Sequence, residues 1–355
     1  MFNPFKMLFP KKIVGVDIGT SAIKVVELSS WGKTKTLEHY GETKSNFISK
    51  EPLLDEKNNK DIVSKNLIAG KIREVFYQAK IKTKAVIFSV PDFSTFSTSF
   101  DIPPMPEKEI AGAIYYNASQ YITLPLSEVT LDWRIIPNSA SGNNSSIKIF
   151  VVAVPNQVIN DYQAIAKNAG LELYALEAEV FGITKALVKD NRKTICLVDM
   201  GAKSSTLNIV DRSFLKRSYS FSFNSDQLAK GLSSALGINY SQAEEIKNRE
   251  GLNSSKPEVA KNLYPLIDAL LTEVKNISDD FFKSEKKQVE EIYLTGGTAN
   301  LPGLKEYFAK SIQKQVSVPN CFSELSYAPP LKEKLKEISS RFSAAVGVAL
   351  DGLEI

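Results

Sequence analysis

Apolar residues in this chain of 355 residues fall into short β-branched runs that alternate with stretches of helical spacing. That alternation predicts a layered α/β protein. Ile13 to Leu28, IVGVDIGTSAIKVVEL, reads as two short apolar strands joined by a tight turn from Asp17 to Ser21. Thr36 to Gly41 predicts a further strand, and the polar Lys/Asn-rich stretch from Ser49 to Lys60 a loop. Asp61 to Ala79 sets Ile62, Leu67, Ile68, Ile72, Val75 and Phe76 along one helical face. Lys84 to Val90, KAVIFSV, has the compact apolar run of a buried parallel strand, and Pro91 stops it.

From Ser94 the texture changes. A Ser/Thr/Phe alternation leads through IPPMP to a helix, Glu107 to Ser119, with acidic residues in its first turn. Tyr121 to Leu126 is a turn-rich connector. Val129 to Ile136 and Ile147 to Val154 read as strands across the Gly/Asn/Ser hairpin SASGNNSS. A helix from Asn156 to Asn168 ends at Ala169-Gly170, where Gly supplies a left-handed cap. Residues 92–168 are expected to form a small inserted α+β subdomain, with Glu172 onward returning to the first lobe.

The second half repeats the opening. Cys196 to Val210, CLVDMGAKSSTLNIV, again runs apolar strand, Asp, one residue, Gly, hydroxyl-rich turn, apolar strand, so that Asp199 and Gly201 match Asp17 and Gly19. Two such turns imply two similar lobes facing one nucleotide. Asp226 to Gly237 predicts an amphipathic helix, and Ser241 to Arg249 another, with Ser241 as N-cap and Glu244 completing a capping box. Pro257 to Ser284 is a long helix with Leu263, Leu266, Ile267, Leu270, Val274 and Ile277 on its apolar side, and Pro265 predicts a late start or a kink. Val289 to Leu294 is a strand running into TGGTAN, after which LPGL opens another helix whose first amides are free.

These turns carry the candidate chemistry. Successive amides around Gly19, with the hydroxyls of Thr20 and Ser21, form a phosphate cradle. Lys24 can reach back along the hairpin to neutralise phosphate charge, and Asp17 suits the water shell of Mg²⁺, which keeps several waters. An ordinary hairpin with a Gly turn has the same pattern, and the repetition at Gly201 weighs against it. The Gly296-Gly297 pair lets backbone approach a flat ligand closely. A formal charge of +4 with no Lys/Arg run argues against nucleic acid. Two cysteines, Cys196 and Cys321, exclude a disulfide framework and suit a reducing cytosol, and a single histidine, His39, excludes serine-hydrolase triads and His-rich metal sites. No stretch reaches the roughly 20 apolar residues of a membrane span, and MFNPFKMLFP reads as a loose N-terminal arm rather than a membrane-surface anchor.

Together, DIGTSAIK, DMGAKSST and LTGGTANLPGL resemble the actin-like nucleotide-binding superfamily. The resemblance implies a bilobed actin-like (ribonuclease-H-like) α/β ATPase fold. Its first lobe would span 1–91, 169–190 and 336–355, and its inserted subdomain 92–168, as in FtsA. The second lobe would span 191–225 and 285–335, with a helical subdomain at 226–284. It implies ATP and Mg²⁺ as ligands. Gly19, Thr20, Ser21, Lys24, Gly201, Ala202, Ser204 and Ser205 would clasp phosphates, with Asp17 and Asp199 toward the metal. Glu244 and Lys247 look like the Glu-x-x-Lys pair that holds ribose and adenine in several members, while a solvent-exposed ion pair reads equally from the i, i+3 spacing. Gly296, Gly297 and Asn300 would meet the adenosine, and Glu179 in ALEAEVFG resembles the residue that helps place metal or attacking water. SQYITLPLSEVTLDW, AGLELYALEAE and RFSAAVGVALDGL narrow the likeness to the PilM family of type IV pilus assembly, with an FtsA-like division or filament-forming protein as the alternative. A sugar-kinase-type enzyme would need a substrate carboxylate or base that the sequence does not supply. Thr206 stands where many hydrolysing members carry Asp, so the expectation is a nucleotide-binding switch with slow turnover at most. The family likeness further implies a cytoplasmic protein that binds the N-terminal peptide of the inner-membrane protein PilN and reaches the membrane only through that partner. Self-association is compatible with it. The edge from Phe93 to Phe100 and the helix carrying Ile110, Ile114 and Tyr115 would receive the peptide, although these aromatic and apolar residues equally suit the subdomain's own core.

Overall fold

The computed structural model describes residues 11–44, 60–136, 146–189 and 192–355, with side chains of 60–64 left aside. The N-terminal arm, most of the loop from Ser49 and all but the last residue of SASGNNSS lie outside these. The chain forms two units, residues 1–187 with 321–337 and 342–355, and residues 188–320 with 338–341.

In the first unit, β1 (Lys11–Ile18), β2 (Ala22–Trp31) and β3 (Thr34–Lys44) form an antiparallel meander, followed by α1 (Lys60–Gln78) and β4 (Ala85–Val90). The chain then leaves this layer for β5 (Phe96–Ile102), α2 (Glu107–Ala118), β6 (Val129–Ile136) and β7 (Ile147–Pro155), and returns through α3 (Asn156–Ala169), β8 (Glu172–Ala178) and α4 (Glu179–Leu187). The large sheet has the order β3-β2-β1-β4-β8, with β1, β4 and β8 parallel. Its period-2 alternation sends Val14, Val16 and Ile18 to the core shared with α1 and α3. The opposite face meets α9 (Lys332–Glu354), the C-terminal helix. There α9 lies so close that a Cβ at Gly347 would fall 1.8 Å from the carbonyl oxygen of Gly182 in α4. Glycine is needed on this helix face because the backbones themselves touch.

Two expectations change here. Leu67 is 42% exposed, because Ile68, Ala69, Ile72, Val75 and Phe76 complete the buried stripe of α1 without it. Helix α3 contributes Val158, Tyr162, Ile165, Ala166 and Ala169 to the core of the large sheet, whereas the sequence reading had grouped it with the insert. The inserted sheet, β5-β7-β6, keeps its own core with α2, in which Phe100, Ile110, Ile114, Ile149 and Val151 are buried. Residues 321–337 also cluster with the first unit; Ser326 exchanges backbone hydrogen bonds with Lys35 and Leu37 beside β3.

The second unit repeats the large sheet strand for strand. β9 (Thr194–Met200), β10 (Ser205–Asp211) and β11 (Phe214–Phe221) form the meander. α5 (Ser225–Leu236), α6 (Tyr240–Glu250) and α7 (Pro257–Glu285) follow, then β12 (Glu291–Thr295), α8 (Leu304–Ile312) and β13 (Gln315–Ser317). The order β11-β10-β9-β12-β13 reproduces that of the first sheet, with the same antiparallel and parallel neighbours. Pro265 lies inside α7, which begins at Pro257, where the missing N–H is harmless, and is continuous to Glu285. The cap of α6 lies two residues before the expected Ser241. Asn239 accepts from the Gln242 amide at 2.9 Å and Gln242 Oε1 accepts from the Asn239 amide at 3.2 Å, closing a capping box two residues earlier than Ser241-Glu244 would.

Candidate functional site

The two Asp-x-Gly turns close in the same way. The Gly19 amide donates to the carbonyl of Ala22 at 3.0 Å, and the Gly201 amide to that of Ser204 at 3.0 Å. In each unit the Asp is the last residue but one of the first strand of the hairpin, where the register sets Asp17 opposite Lys24 and Asp199 opposite Thr206.

In the first unit Asp17 is 4% exposed, and both of its carboxylate oxygens are engaged. Lys24 Nζ donates to Oδ2 at 2.7 Å, and Ser89 Oγ, from the parallel neighbour β4, to Oδ1 at 3.2 Å. Lys24 therefore holds the aspartate in place rather than reaching out alone. Each oxygen retains a lone pair, so the carboxylate can still meet a hydrated cation. Thr20 and Ser21 sit at the open turn, half-buried and exposed respectively. Glu179 is the first residue of α4, directly after β8. Three contacts fix that corner: the Val180 amide donates to Asp92 Oδ1 at 3.3 Å, Arg134 Nη2 to Glu177 Oε1 at 3.0 Å, and the Arg134 guanidinium lies 4.2 Å from the Phe181 ring centre.

Sequence reasoning passed over Tyr162, an aromatic on an apolar helix face that reads as core. Its ring is fully buried and meets Phe88 edge-on at 5.7 Å. Its hydroxyl has no hydrogen-bond partner among the described residues. Burial, and then the charges of Asp17, Glu179 and Asp161, push its pKa up.

In the second unit the phosphate-type turn is tied to a helix start. Gly201 and Ala202 carbonyls accept from the amides of Ser225 and Asp226 at 3.1 and 3.2 Å, and Asn224 caps α5 while donating to the Lys203 carbonyl at 3.0 Å. Ser204 is half-buried beside the turn. Ser205 differs from expectation. It is 1% exposed and its hydroxyl points into protein, because it begins the interior strand β10. Lys247 is likewise buried rather than solvated. Its ammonium meets Glu244 at 2.7 Å and the hydroxyl of Ser225 at the start of α5. Burial lowers its pKa, against the pull of Glu244.

The third turn divides its two glycines. Gly296 has φ 84°, and a Cβ there would lie 2.5 Å from Asp199 Oδ1, whereas a Cβ on Gly297 would meet nothing within 4 Å. The Gly296 amide donates to the Ser340 carbonyl at 2.9 Å, and Asn300 Nδ2 to Ser340 Oγ at 3.0 Å, so Asn300 anchors the turn. A 3₁₀ turn over Gly297–Asn300 follows the strand before α8 begins, and the Leu304 amide is taken by Leu301. The free helix start expected after the Gly pair is thus absent at Leu304.

Two sheets of one topology, each with an Asp-x-Gly turn, and an α+β insert in the first unit define an actin-like fold. The solved PilM–PilN type IV pilus biogenesis complex shares it at a TM-score of 0.83 and 22% identity, over 97% of this chain and 99% of that one. The ethanolamine utilization protein EutJ of Carboxydothermus hydrogenoformans matches at 0.57 and 17% identity, over 99% and 92%. The chain belongs to the type IV pilus assembly protein PilM family, whose pattern matches residues 15–353. The cell division protein FtsA of Enterococcus faecalis is a more distant relative, 20% identical over 350 residues that cover 86% of this chain and 78% of FtsA.

Proposed function

We propose that this protein is a cytoplasmic ATP-binding scaffold of type IV pilus assembly that takes the N-terminal peptide of a PilN-type inner-membrane partner. The observation that carries the nucleotide reading is the matched pair of turns, closed by the same Gly amide contact in sheets of the same order. Gly19, Thr20 and Ser21 on one unit, and Gly201, Ala202 and Ser204 on the other, offer amides and hydroxyls to phosphate oxygens. Glu244 and Lys247, with Gly297 and the turn that Asn300 anchors, take the nucleoside. Ser205 supports the strand beneath.

Among the described residues no group of three or more His, Cys, Asp or Glu could hold a metal by itself. Single aspartates, Asp17 and Asp199, suit Mg²⁺, which keeps several waters and leans on phosphate oxygens. The ion would neutralise phosphate charge, and Glu179 would orient a water. Thr206, 4% exposed and hydrogen-bonded to Asn208 at 3.2 Å, fills with a buried hydroxyl the position where hydrolysing relatives carry Asp, which supports slow turnover.

For the partner, the support is β5, an edge strand among the described residues, with Phe96 exposed on it and Phe93 exposed in the turn just before it. The solved relative was captured with PilN. An added strand gains affinity from main-chain pairing and specificity from side-chain pockets. Ile110 and Ile114 belong to the insert's core and leave Tyr115, 51% exposed, as the contact from α2. Among the described residues no helix is long and apolar enough to cross a membrane, consistent with recruitment through the partner. The decisive measurement is thermal unfolding with millimolar Mg·ATP. Stabilisation by mass action is expected for the wild-type chain and its loss for Asp17→Ala; no shift in the wild type refutes the nucleotide reading. The distant FtsA likeness makes a nucleotide-dependent polymer the competing outcome, and its sedimentation would favour that alternative.

A further inference from the structure

One end of the first sheet carries more positive charge than its acids match. Register sets Lys11 opposite Ser30, Val14 beside Val86, and Ala85 beside Glu172. The start of β1, the tip of the β2–β3 hairpin and the chain entering β4 therefore share the end of the sheet away from the Asp17 turn. Lys11, Lys12, Lys33, Lys82 and Lys84 are all exposed there. The hydroxyl of Thr83 turns inward to the buried Glu27 carboxylate, while Lys82 and Lys84 on either side of it stay in solvent. Of the acids at this end, Glu354 is taken by Lys35 and Lys185, Glu38 accepts from Ser29 and lies 3.6 Å from Lys12, and Glu172 is exposed. Lys33, Lys82 and Lys84 form no ion pair among the described residues. Trp31 stands at the hairpin tip, 60% exposed.

The repeated sheet shows that the fold does not require this arrangement. At the same end of the second unit, Lys193 enters β9 as Lys11 enters β1, and it is paired with Glu291 at 3.1 Å. Lys287 is paired with Asp211 at 2.6 Å, and Glu290 occupies the place of Lys84. Charge there is matched by the buried carboxylates of Asp211 and Glu291. In the first unit the lysines face solvent, where like charges so grouped repel one another and favour an anionic surface.

We propose that this end of the first unit rests directly on an anionic lipid surface, its lysines facing headgroup phosphates and Trp31 entering the headgroup layer. The apolar content beside the charge favours a bilayer over a nucleic acid. Tryptophan is enriched at membrane–water interfaces, where its amphipathic ring sits at headgroup level. In sequence, the residues leading into Lys11, MFNPFKMLFP, are rich in Phe, Met and Leu, and no Asp or Glu precedes Asp17. Membrane attachment becomes firm when an apolar segment is joined to a polybasic patch, and the lysine-rich end supplies the patch. This contact adds to recruitment through a PilN-type partner and depends on neither the nucleotide nor the peptide reading.

The test is flotation of the full chain, without partner or nucleotide, on vesicles of phosphatidylcholine alone and of phosphatidylcholine with phosphatidylglycerol. The wild type should float with the anionic vesicles only and be released as salt rises. At about fivefold in partitioning per lysine near the surface, Lys33→Gln, Lys82→Gln and Lys84→Gln together should weaken binding on the order of a hundredfold. These side chains are solvated, so the triple variant should unfold at the wild-type temperature. Tryptophan emission should shift to the blue on anionic vesicles, and the shift should vanish in Trp31→Phe, whose remaining tryptophan, Trp133, packs on the insert's core. No flotation of the wild type at low salt, equal flotation on neutral vesicles, or undiminished binding by the triple variant overturns the proposal. Tighter binding of a duplex oligonucleotide than of anionic vesicles at equal salt also overturns it, assigning this end to nucleic acid instead.

Discussion

At Gly297 an added methyl would meet open space, but at Gly296 it would strike the Asp199 carboxylate and the Met200 carbonyl from a backbone at φ 84°. The adjacent glycines therefore make separable predictions. Gly296→Ala should lower unfolding free energy by at least about 1 kcal/mol, since both the dihedral and the close approach oppose a side chain. Gly297→Ala should denature in urea like the wild type while weakening ATP binding. Equal denaturation curves for the two would mean that the approach to Asp199 imposes no constraint. Glu177 makes a further prediction at this scale. Burial first, then Asp351, raise its pKa from 4.5 to about 7, against the pull of Arg134 and Lys185. A carboxyl raised in the folded state binds more protons there than when unfolded. Its contribution is thus fully present below about pH 4.5 and lost as pH rises through 7. The loss is on the order of 3 kcal/mol. Glu177→Gln keeps an acceptor for Arg134 and should flatten that part of the stability–pH curve; an unchanged slope would point to another group.

Strand β5 and helix α2 show how one short element serves two purposes. Phe100 and Ile102 point into the insert's core with Ile110 and Ile114, while Ser97, Ser99 and Asp101 alternate to the other side and the outer edge of β5 has no strand neighbour among the described residues. A charge at Ile114 is buried without a partner and should unfold the insert. A charge at Ser97 should instead disturb only an added strand. Ser97→Asp is expected to lose capture of the PilN-type peptide with Mg·ATP stabilisation intact, whereas Ile114→Asp should lose thermal stability itself. Full peptide capture by Ser97→Asp would remove β5 as the docking edge.

For the whole molecule, the repeated sheets set the functional expectation of binding with slow turnover. With Thr206 buried opposite Asp199 in place of a carboxylate, steady-state ATP hydrolysis should fall far below the median enzyme rate of about 10 s⁻¹. A rate near that value would return the protein to the class of working ATPases.

What the sequence determined by itself was local. The β-branched runs flanking DIGTS and DMGAK set the hairpins, the continuous apolar run of β4 marked a strand buried on both faces, and Gly170 and Gly237 set helix ends, because those choices depend on near neighbours along the chain. The matching turns also disclosed the repeat before any strand order was known. What only the tertiary structure decided was the set of distant partners. The helix after the insert packs on the large sheet rather than the small one, and Ser340 anchors the Gly296 turn. Lys247 is buried against Ser225, and Tyr162 is buried against Phe88 of the large sheet. Spacing specifies a face on a helix or a strand, but which element covers that face depends on contacts with residues far along the chain. An apolar helix stripe with one tyrosine looks the same in sequence whether its hydroxyl meets solvent or core.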